Sequence, residues 1–355
     1  MRFFLFLFIL GMTACATKDP EKQQSKGNLC KYAKHLQLFQ TEKGIKVIIQ
    51  HPDFKDKKYQ FLIVDDADTQ ADNATKIVQG QKLAVLSSTH IGMLTALGME
   101  EYITAVSNAK YIYSPKLKRR IDQGKTISLG DEGQLSIEKI LKSKSKIIVY
   151  SAFSSELSQE EQLKRLQIYC IPDFDWRENT PLGRAEWLLL FAALEGKLNR
   201  GLQLFQVIKK NYLESVQLLK NPKKVLVGNV TGDYWYAPAG ESYMAYLLKD
   251  AGLDYIFAST KGTGSLSLNM EEVLQSSKKV DLWLNPGFPS RKAIESANPK
   301  AKFLSVFSKG TIYCYTHDSN KFWELSAVHP DWVLADFRAL AIGNKQKLYF
   351  YKAVK

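Results

Sequence analysis

Short apolar runs alternate with longer amphipathic stretches along most of the chain, a pattern that spells strands and helices in turn. The β-rich runs at 45–49 and 59–64 flank the polar, proline-containing stretch 51–58 and predict a hairpin, after which 65–80 reads as loop. Residues 83–86 form a short apolar strand. Ser87, Ser88 and Thr89 then offer capping hydroxyls to a helical run over 90–97 that Gly98 ends. The second half repeats this order. A strand at 225–227 leads to the loop Tyr234-Trp235-Tyr236-Ala237-Pro238-Ala239-Gly240, followed by a helix from Ser242 to Gly252.

A sharper match lies downstream. Residues 135–143 (Leu-Ser-Ile-Glu-Lys-Ile-Leu-Lys-Ser) align with 268–276 (Leu-Asn-Met-Glu-Glu-Val-Leu-Gln-Ser) at a constant offset of 133, with four identities in nine. Each copy runs into an apolar strand, 147–150 in the first and 280–284 in the second, so the chain reads as an internal duplication of a helix-then-strand unit. Short apolar strands alternating with helices imply mainly parallel sheets flanked by helices, hence an α/β fold of two lobes. Between them, Thr180 caps and Pro181 opens a segment that is apolar on every face through Leu194. It predicts one long connecting helix, roughly 28 Å from Pro181 to Asn199, enough to cross from one lobe to the other.

Length and composition then narrow the class. The chain has 355 residues, 45% of them hydrophobic and 24% charged, which suits one large or two ordinary folded domains and excludes disordered and multi-span membrane proteins. Residues 1–14 carry one positive charge and an apolar run too short to span a bilayer, the form of a signal peptide. The run ends in Met12-Thr13-Ala14-Cys15, which resembles a bacterial lipobox with Met12 where Leu is usual and Cys15 as the lipidated residue. Residues 16–28 are polar and suit a flexible tether. The expected divisions are therefore 1–14 signal peptide, 15–29 lipidated tether, 30–179 N-terminal lobe with the extra hairpin 45–64, 180–205 connecting helix and 206–345 C-terminal lobe. Export turns the net charge of +13 into a solvated surface and argues against a nucleic-acid partner. Cys30, Cys170 and Cys314 allow at most one disulfide.

No Gly-x-Ser-x-Gly elbow, His-Glu-x-x-His pair or phosphate loop is present. The adjacent carboxylates Glu100-Glu101, Glu160-Glu161 and Glu271-Glu272 diverge on a helix and do not make an acid–base pair. A non-enzyme is expected, with an exported hydrolase as the alternative from another class.

The lipobox, two lobes, single linking helix and paired Ile-Glu-Lys-Ile-Leu and Met-Glu-Glu-Val-Leu segments together resemble the substrate-binding lipoproteins of metal-chelate ABC importers, which serve ferric siderophores, haem and cobalamin. The likeness covers about residues 80–340, and Pro181-Leu-Gly-Arg-Ala-Glu-Trp187 is especially similar to versions from the Bacteroidetes. It implies a monomeric periplasmic protein, held to a membrane by its lipid, that hands a chelate to a permease driven by an ATPase and keeps no permanent cofactor. It also implies that Glu138 and Glu271, one on each lobe, dock on the permease.

The cleft then belongs at the carboxyl ends of the strands, where Ser88, Thr89, His90, Tyr150, Ser151, Phe153, Trp176, Tyr234, Trp235, Tyr236, Gly240 and Ser242 are the candidate ligand-binding residues. Loop aromatics suit the flat face of a corrin, a porphyrin or a catecholate, and their scarcity of Arg favours a corrinoid over haem or a ferric siderophore. Ser242 and His90 also sit where helix caps are usual, and His90 could alternatively ligate a chelated metal. With His317 and His329 it could instead build a zinc site, which would make the cargo a bare ion. Trp323 is expected in the core, near a late loop able to reach the cleft.

Overall fold

The computed structural model describes residues 27–71, 74–130, 135–153, 157–231, 234–315, 319–344 and 347–355. The signal peptide, Cys15, most of the tether and His317 lie outside the described residues.

The chain opens with β1 (Leu36–Thr41), β2 (Gly44–Gln50), β3 (Lys58–Val64) and β4 (Thr75–Val78), which form one sheet in that order. The first three strands are antiparallel, and β4 joins β3 in parallel. The expected hairpin is the middle of this sheet. Its flanks differ from expectation: β4 lies in the stretch read as loop, because four residues are too few to show a period. Leu36, Leu38, Val47, Ile49, Phe61 and Ile77 turn inward from all four strands and are buried.

The N-terminal lobe follows as β5 (Leu83–Val85), α1 (Ser88–Ala96), β6 (Ile103–Val106), α2 (Pro115–Asp122), β7 (Ile127–Ser128), α3 (Ile137–Ser143), β8 (Ile147–Ser151), α4 (Glu160–Arg165) and β9 (Tyr169–Asp173). Its sheet has the order β7-β6-β5-β8-β9, and every pair is parallel. Leu83, Val85, Ile147 and Val149 face one apolar cluster while Ala84, Leu86, Ile148 and Tyr150 face another. Both faces are covered, as a parallel sheet requires.

The connector is not one helix. It consists of α5 (Pro181–Ala185), α6 (Leu188–Leu194) and α7 (Leu198–Ser215). Helical backbone continues through Glu186 and Trp187, but Trp187 donates to the Arg184 carbonyl three residues back, which tightens the turn. The real break is at Gly196, whose φ of +64° lies in the left-handed region that ends helices. The expected single rod over 180–205 is thereby corrected to a short buried connector and a longer helix that turns away from it.

The C-terminal lobe holds β10 (Lys224–Val227), β11 (Asn229–Thr231), β12 (Tyr234–Pro238), α8 (Tyr243–Asp250), β13 (Asp254–Tyr255), β14 (Ser265–Asn269), α9 (Met270–Ser276), β15 (Leu282–Leu284), α10 (Arg291–Ala297), α11 (Ser305–Lys309), β16 (Thr311–Cys314), α12 (Ser319–Leu325), α13 (Pro330–Ile342) and β17 (Lys352–Ala353). One sheet is β13-β10-β15-β16-β17, parallel except for β17, so it extends past residue 345. The other, β11-β12-β14, is antiparallel and contains the aromatic segment expected to be loop.

The duplication is visible in three dimensions. Ser136 and Asn269 occupy equivalent N-caps, accepting from the amides of Lys139 and Glu272 at the start of α3 and α9. Among the described residues, no helix is long and apolar enough to cross a membrane. Cys30, Cys170 and Cys314 form no disulfide.

Candidate functional site

The carboxyl ends of the parallel strands of each lobe open into a pocket. In the N-terminal lobe the chain leaving β5 supplies Ser87 and Ser88, that leaving β6 supplies Ser107, Asn108 and Tyr111, and that leaving β8 supplies Phe153. They line a pocket of about 250 Å³. Ser87 is the N-cap of α1, so its hydroxyl accepts the Thr89 amide. Phe153 is 61% exposed and packs its ring 5.0 Å from that of Trp176. Trp176 therefore supports the pocket wall from behind and is not part of its lining.

In the C-terminal lobe, Gly228 and Asn229 after β10, Asn285 and Gly287 after β15, and Tyr315 after β16 meet Tyr236, Tyr243, Met244 and Trp323 around a pocket of about 430 Å³. Asn285 has a φ of +61°, a conformation that Asn tolerates better than most residues, and its Oδ1 is buried without a hydrogen-bond partner. Ser242 lines this pocket, but it is buried and its Oγ accepts the Ala245 amide as the cap of α8. Tyr236 is half exposed at the rim, and Trp323 stands edge-on to Tyr315 with 47% of its surface open.

The two pockets border one another across α12. Glu324, next to Trp323, accepts the backbone amides of Tyr113 and Ser114, which follow Tyr111 and Ile112 of the N-terminal pocket. Burial pushes the Glu324 carboxyl up to about 7, against the pull of those two amides. At the floor between the lobes, Arg184 Nε donates to Asp175 Oδ2 at 2.9 Å and its guanidinium lies 4.6 Å over the Tyr243 ring. Burial opposes the Arg184 charge, but the Asp175 carboxylate more than offsets it and lifts the group above its usual range.

Several expected contacts fall elsewhere. Trp235 is fully buried, with its ring 5.4 Å from Trp283 and its Nε1 donating to the Val227 carbonyl; alternation along β12 turns it to the core and Tyr234 and Tyr236 outward. Tyr150 is still inside β8 and sits in the second apolar cluster, away from the cleft. Thr89 and Ser151 are buried, and Gly240 is pressed against the carbonyls of Ala258 and Thr260. His90 is also fully buried and cannot reach a ligand in either pocket, so the idea that it ligates a chelated metal is overturned. Burial lowers its pKa to about 4. His329 stacks on Trp332 at 3.8 Å, at the start of α13, and joins no zinc cluster with His90. Ser88, Phe153, Tyr236 and Ser242 remain in the lining, and Tyr234 is exposed beside it.

The residues not foreseen, Tyr111, Asn108, Asn229, Asn285, Tyr243 and Tyr315, mostly follow the ends of parallel strands. Applying the strand-end rule to β6, β15 and β16, and not only to β5, β8 and β10, would have found four of them. Glu138 and Glu271 are both exposed in the first turn of their helices, where the helix dipole favours a negative charge.

Comparison with known proteins agrees with this architecture. The family model described as periplasmic binding protein matches residues 83–293, more than half of the chain. The uncharacterized lipoprotein MJ0878 of Methanocaldococcus jannaschii is 25% identical over 91% of this chain and 84% of its own length. The periplasmic heme-binding protein HutB of Vibrio cholerae superposes with a TM-score of 0.58 at 15% identity, over 72% of this chain and 98% of that one. A protein of an Fe3+-hydroxamate transport system from Saccharomonospora viridis does so with a TM-score of 0.54 at 17% identity, over 75% of this chain and 94% of that one.

Proposed function

The chain belongs to the periplasmic binding protein family, whose members bind solutes and are not enzymes, and on that premise we propose that it captures a metal chelate between its lobes and delivers it to an ABC permease and its ATPase. Its partners are the permease with its ATPase, on which it docks, and the membrane, through a lipid on Cys15. No bound cofactor is needed.

One observation carries the choice of cargo. None of the described residues lining either pocket bears a formal charge, and aromatic rings from both lobes reach the surface there. An anionic ferric catecholate would need buried Arg or Lys partners, because stripping water from its charge without them costs several kcal/mol. A corrinoid is bulky, flat and nearly neutral, so it can be held by ring faces with Asn229 and Asn285 meeting its polar edge. Haem is the second reading, favoured by the half-exposed phenols of Tyr111 and Tyr236, since a tyrosinate oxygen can ligate ferric iron. Glu138 and Glu271 would then orient the loaded protein on the permease, one contact per lobe.

The reading is tested by titrating the purified protein with cyanocobalamin, haem and a ferric catecholate while following tryptophan fluorescence corrected for absorbance. Saturable quenching by cyanocobalamin is expected, reduced in Trp323→Phe and weakened in affinity in Tyr236→Ala. Saturation by the catecholate alone would refute the uncharged-cleft argument. Saturation by haem alone would transfer it to the second reading.

A further inference from the structure

A cluster of ionisable groups lies beneath the cleft and takes no part in lining it. Asp173 ends β9, Asp175 opens the turn after it, and His90 stands in the first turn of α1. Their side chains are buried, with 0%, 1% and 0% exposure respectively. One ligating atom from each lies within 4.8 Å of the others. His90 Nε2 is 3.5 Å from Asp173 Oδ2, and neither atom has a hydrogen-bond partner. The other oxygen of Asp173 accepts the Asp175 amide, and Asp175 Oδ2 takes Arg184 Nε.

Asp175 is paired with Arg184, which leaves His90 Nε2 and Asp173 Oδ2 facing each other in a dry site with room for a proton or a cation between them. A proton shared between Nε2 and Oδ2 would draw them to about 2.7–2.9 Å. Ligands held at about 2.0–2.1 Å around a tetrahedral ion stand about 3.4 Å apart, close to the 3.5 Å between Nε2 and Oδ2, with an Asp175 oxygen within 4.8 Å of both. The Phe191 ring, 5.5 Å from that of His90, seals the apolar side of the imidazole.

We propose that His90, Asp173 and Asp175 bind one divalent first-row metal ion, of the zinc or manganese class, as a structural site distinct from the cargo cleft. One nitrogen and two carboxylate oxygens suit these ions and not a soft monovalent one. With no exposed ligand, the ion enters as the chain folds and fixes the end of β9 and, through Asp175, the position of Arg184 at the lobe junction.

The test uses the whole protein. Metal content is measured by inductively coupled plasma mass spectrometry after dialysis against EDTA, then again after denaturation and refolding in EDTA or in zinc chloride. The native and zinc-refolded samples should each hold about one equivalent, and the EDTA-refolded sample should hold none and melt several degrees lower. Asp173→Asn should refold with the native circular dichroism spectrum and at least five-fold less zinc. Zinc-refolded and EDTA-refolded protein with the same metal content and the same midpoint would overturn the proposal, as would a folded Asp173→Asn variant that keeps its full equivalent. Should that variant not fold, the wild-type comparison alone decides.

Discussion

Replacing Gly92 by Ala sets two effects of opposite sign against each other. Gly92 is in the interior of α1, where Ala favours the helix by about 1 kcal/mol. The new Cβ, however, would stand 1.5 Å from the Glu324 carbonyl oxygen and 2.6 Å from its carbon, where ordinary contact begins at 3.4 Å. Both atoms are backbone, so no rotamer relieves the clash, and α1 and α12 must part by about 2 Å. Overpacking of this kind costs about 1–3 kcal/mol. The displacement also strains the two amide contacts of Glu324, each a bond to a charged group worth about 1.5–3 kcal/mol. The net expectation is a loss of about 2–4 kcal/mol. At about 2 cal/mol/K per residue, that is a fall of roughly 3–6 °C in the thermal midpoint. Differential scanning calorimetry reads the shift. The fluorescence titration should show weaker ligand binding as well, because Trp323 moves with α12. A midpoint equal to or above wild type would mean that helix propensity alone governs Gly92, and would refute the close seating of α12 on α1.

Glu195, buried at the end of α6 with neither oxygen hydrogen-bonded, has its pKa raised by burial from 4.5 to about 8. The fold favours the protonated form, so the group's contribution is intact below about 4.5 and is lost as pH rises through about 8, by at most about 5 kcal/mol. Glu195→Gln should therefore gain midpoint over wild type between pH 5 and pH 8 and hold a constant lead above it; parallel curves over that range would count against the assignment. Changing both Glu138 and Glu271 to Ala should abolish uptake by cells while leaving ligand affinity within two-fold and stability within about 0.5 kcal/mol, as expected for exposed sites. Loss of ligand binding in the purified double variant would contradict a docking role.

The lobes and their duplication were legible because they depend on local signals. Capping hydroxyls, closing glycines and apolar strands mark β5 with α1 and β10 with α8, and the repeat at 133 residues survives in sequence because its helices keep a capping side chain in the same place, a buried aliphatic residue at Ile140 and Val273, and the exposed glutamate. What escaped depends on pairing or on register. Residues 234–238 look like an aromatic loop until β11 and, nearly thirty residues later, β14 flank them as partners, and that pairing decides that Trp235 faces inward and Tyr236 outward. Tyr150 poses the same one-residue question at the end of β8, where the strand runs on through Ser151. His90 was legible as a helix-cap histidine but not as a buried one, because Asp173, Asp175 and Phe191 come from distant segments.

The segment 180–187 shows how little the two lobes can move as rigid bodies. Thr180 caps α5, and Arg184 joins Asp175 to Tyr243 of the other lobe. Glu186 accepts the amides of Lys31, Tyr32 and Ala33, while Glu178 takes those of Lys34 and His35 and the Trp187 indole. The stretch before β1 is thereby strapped to the connector. A second crossing is made by α12, whose Glu324 holds Tyr113 and Ser114. A wide hinge opening would have to break the Arg184 bridge and the Glu324 contacts together, leaving a charge buried without its partner on each side, at several kcal/mol apiece. The inexpensive motion is instead that of the exposed rings, Tyr111 and Phe153 on one face and Tyr236 and Trp323 on the other, which can swing over the pockets without parting the lobes.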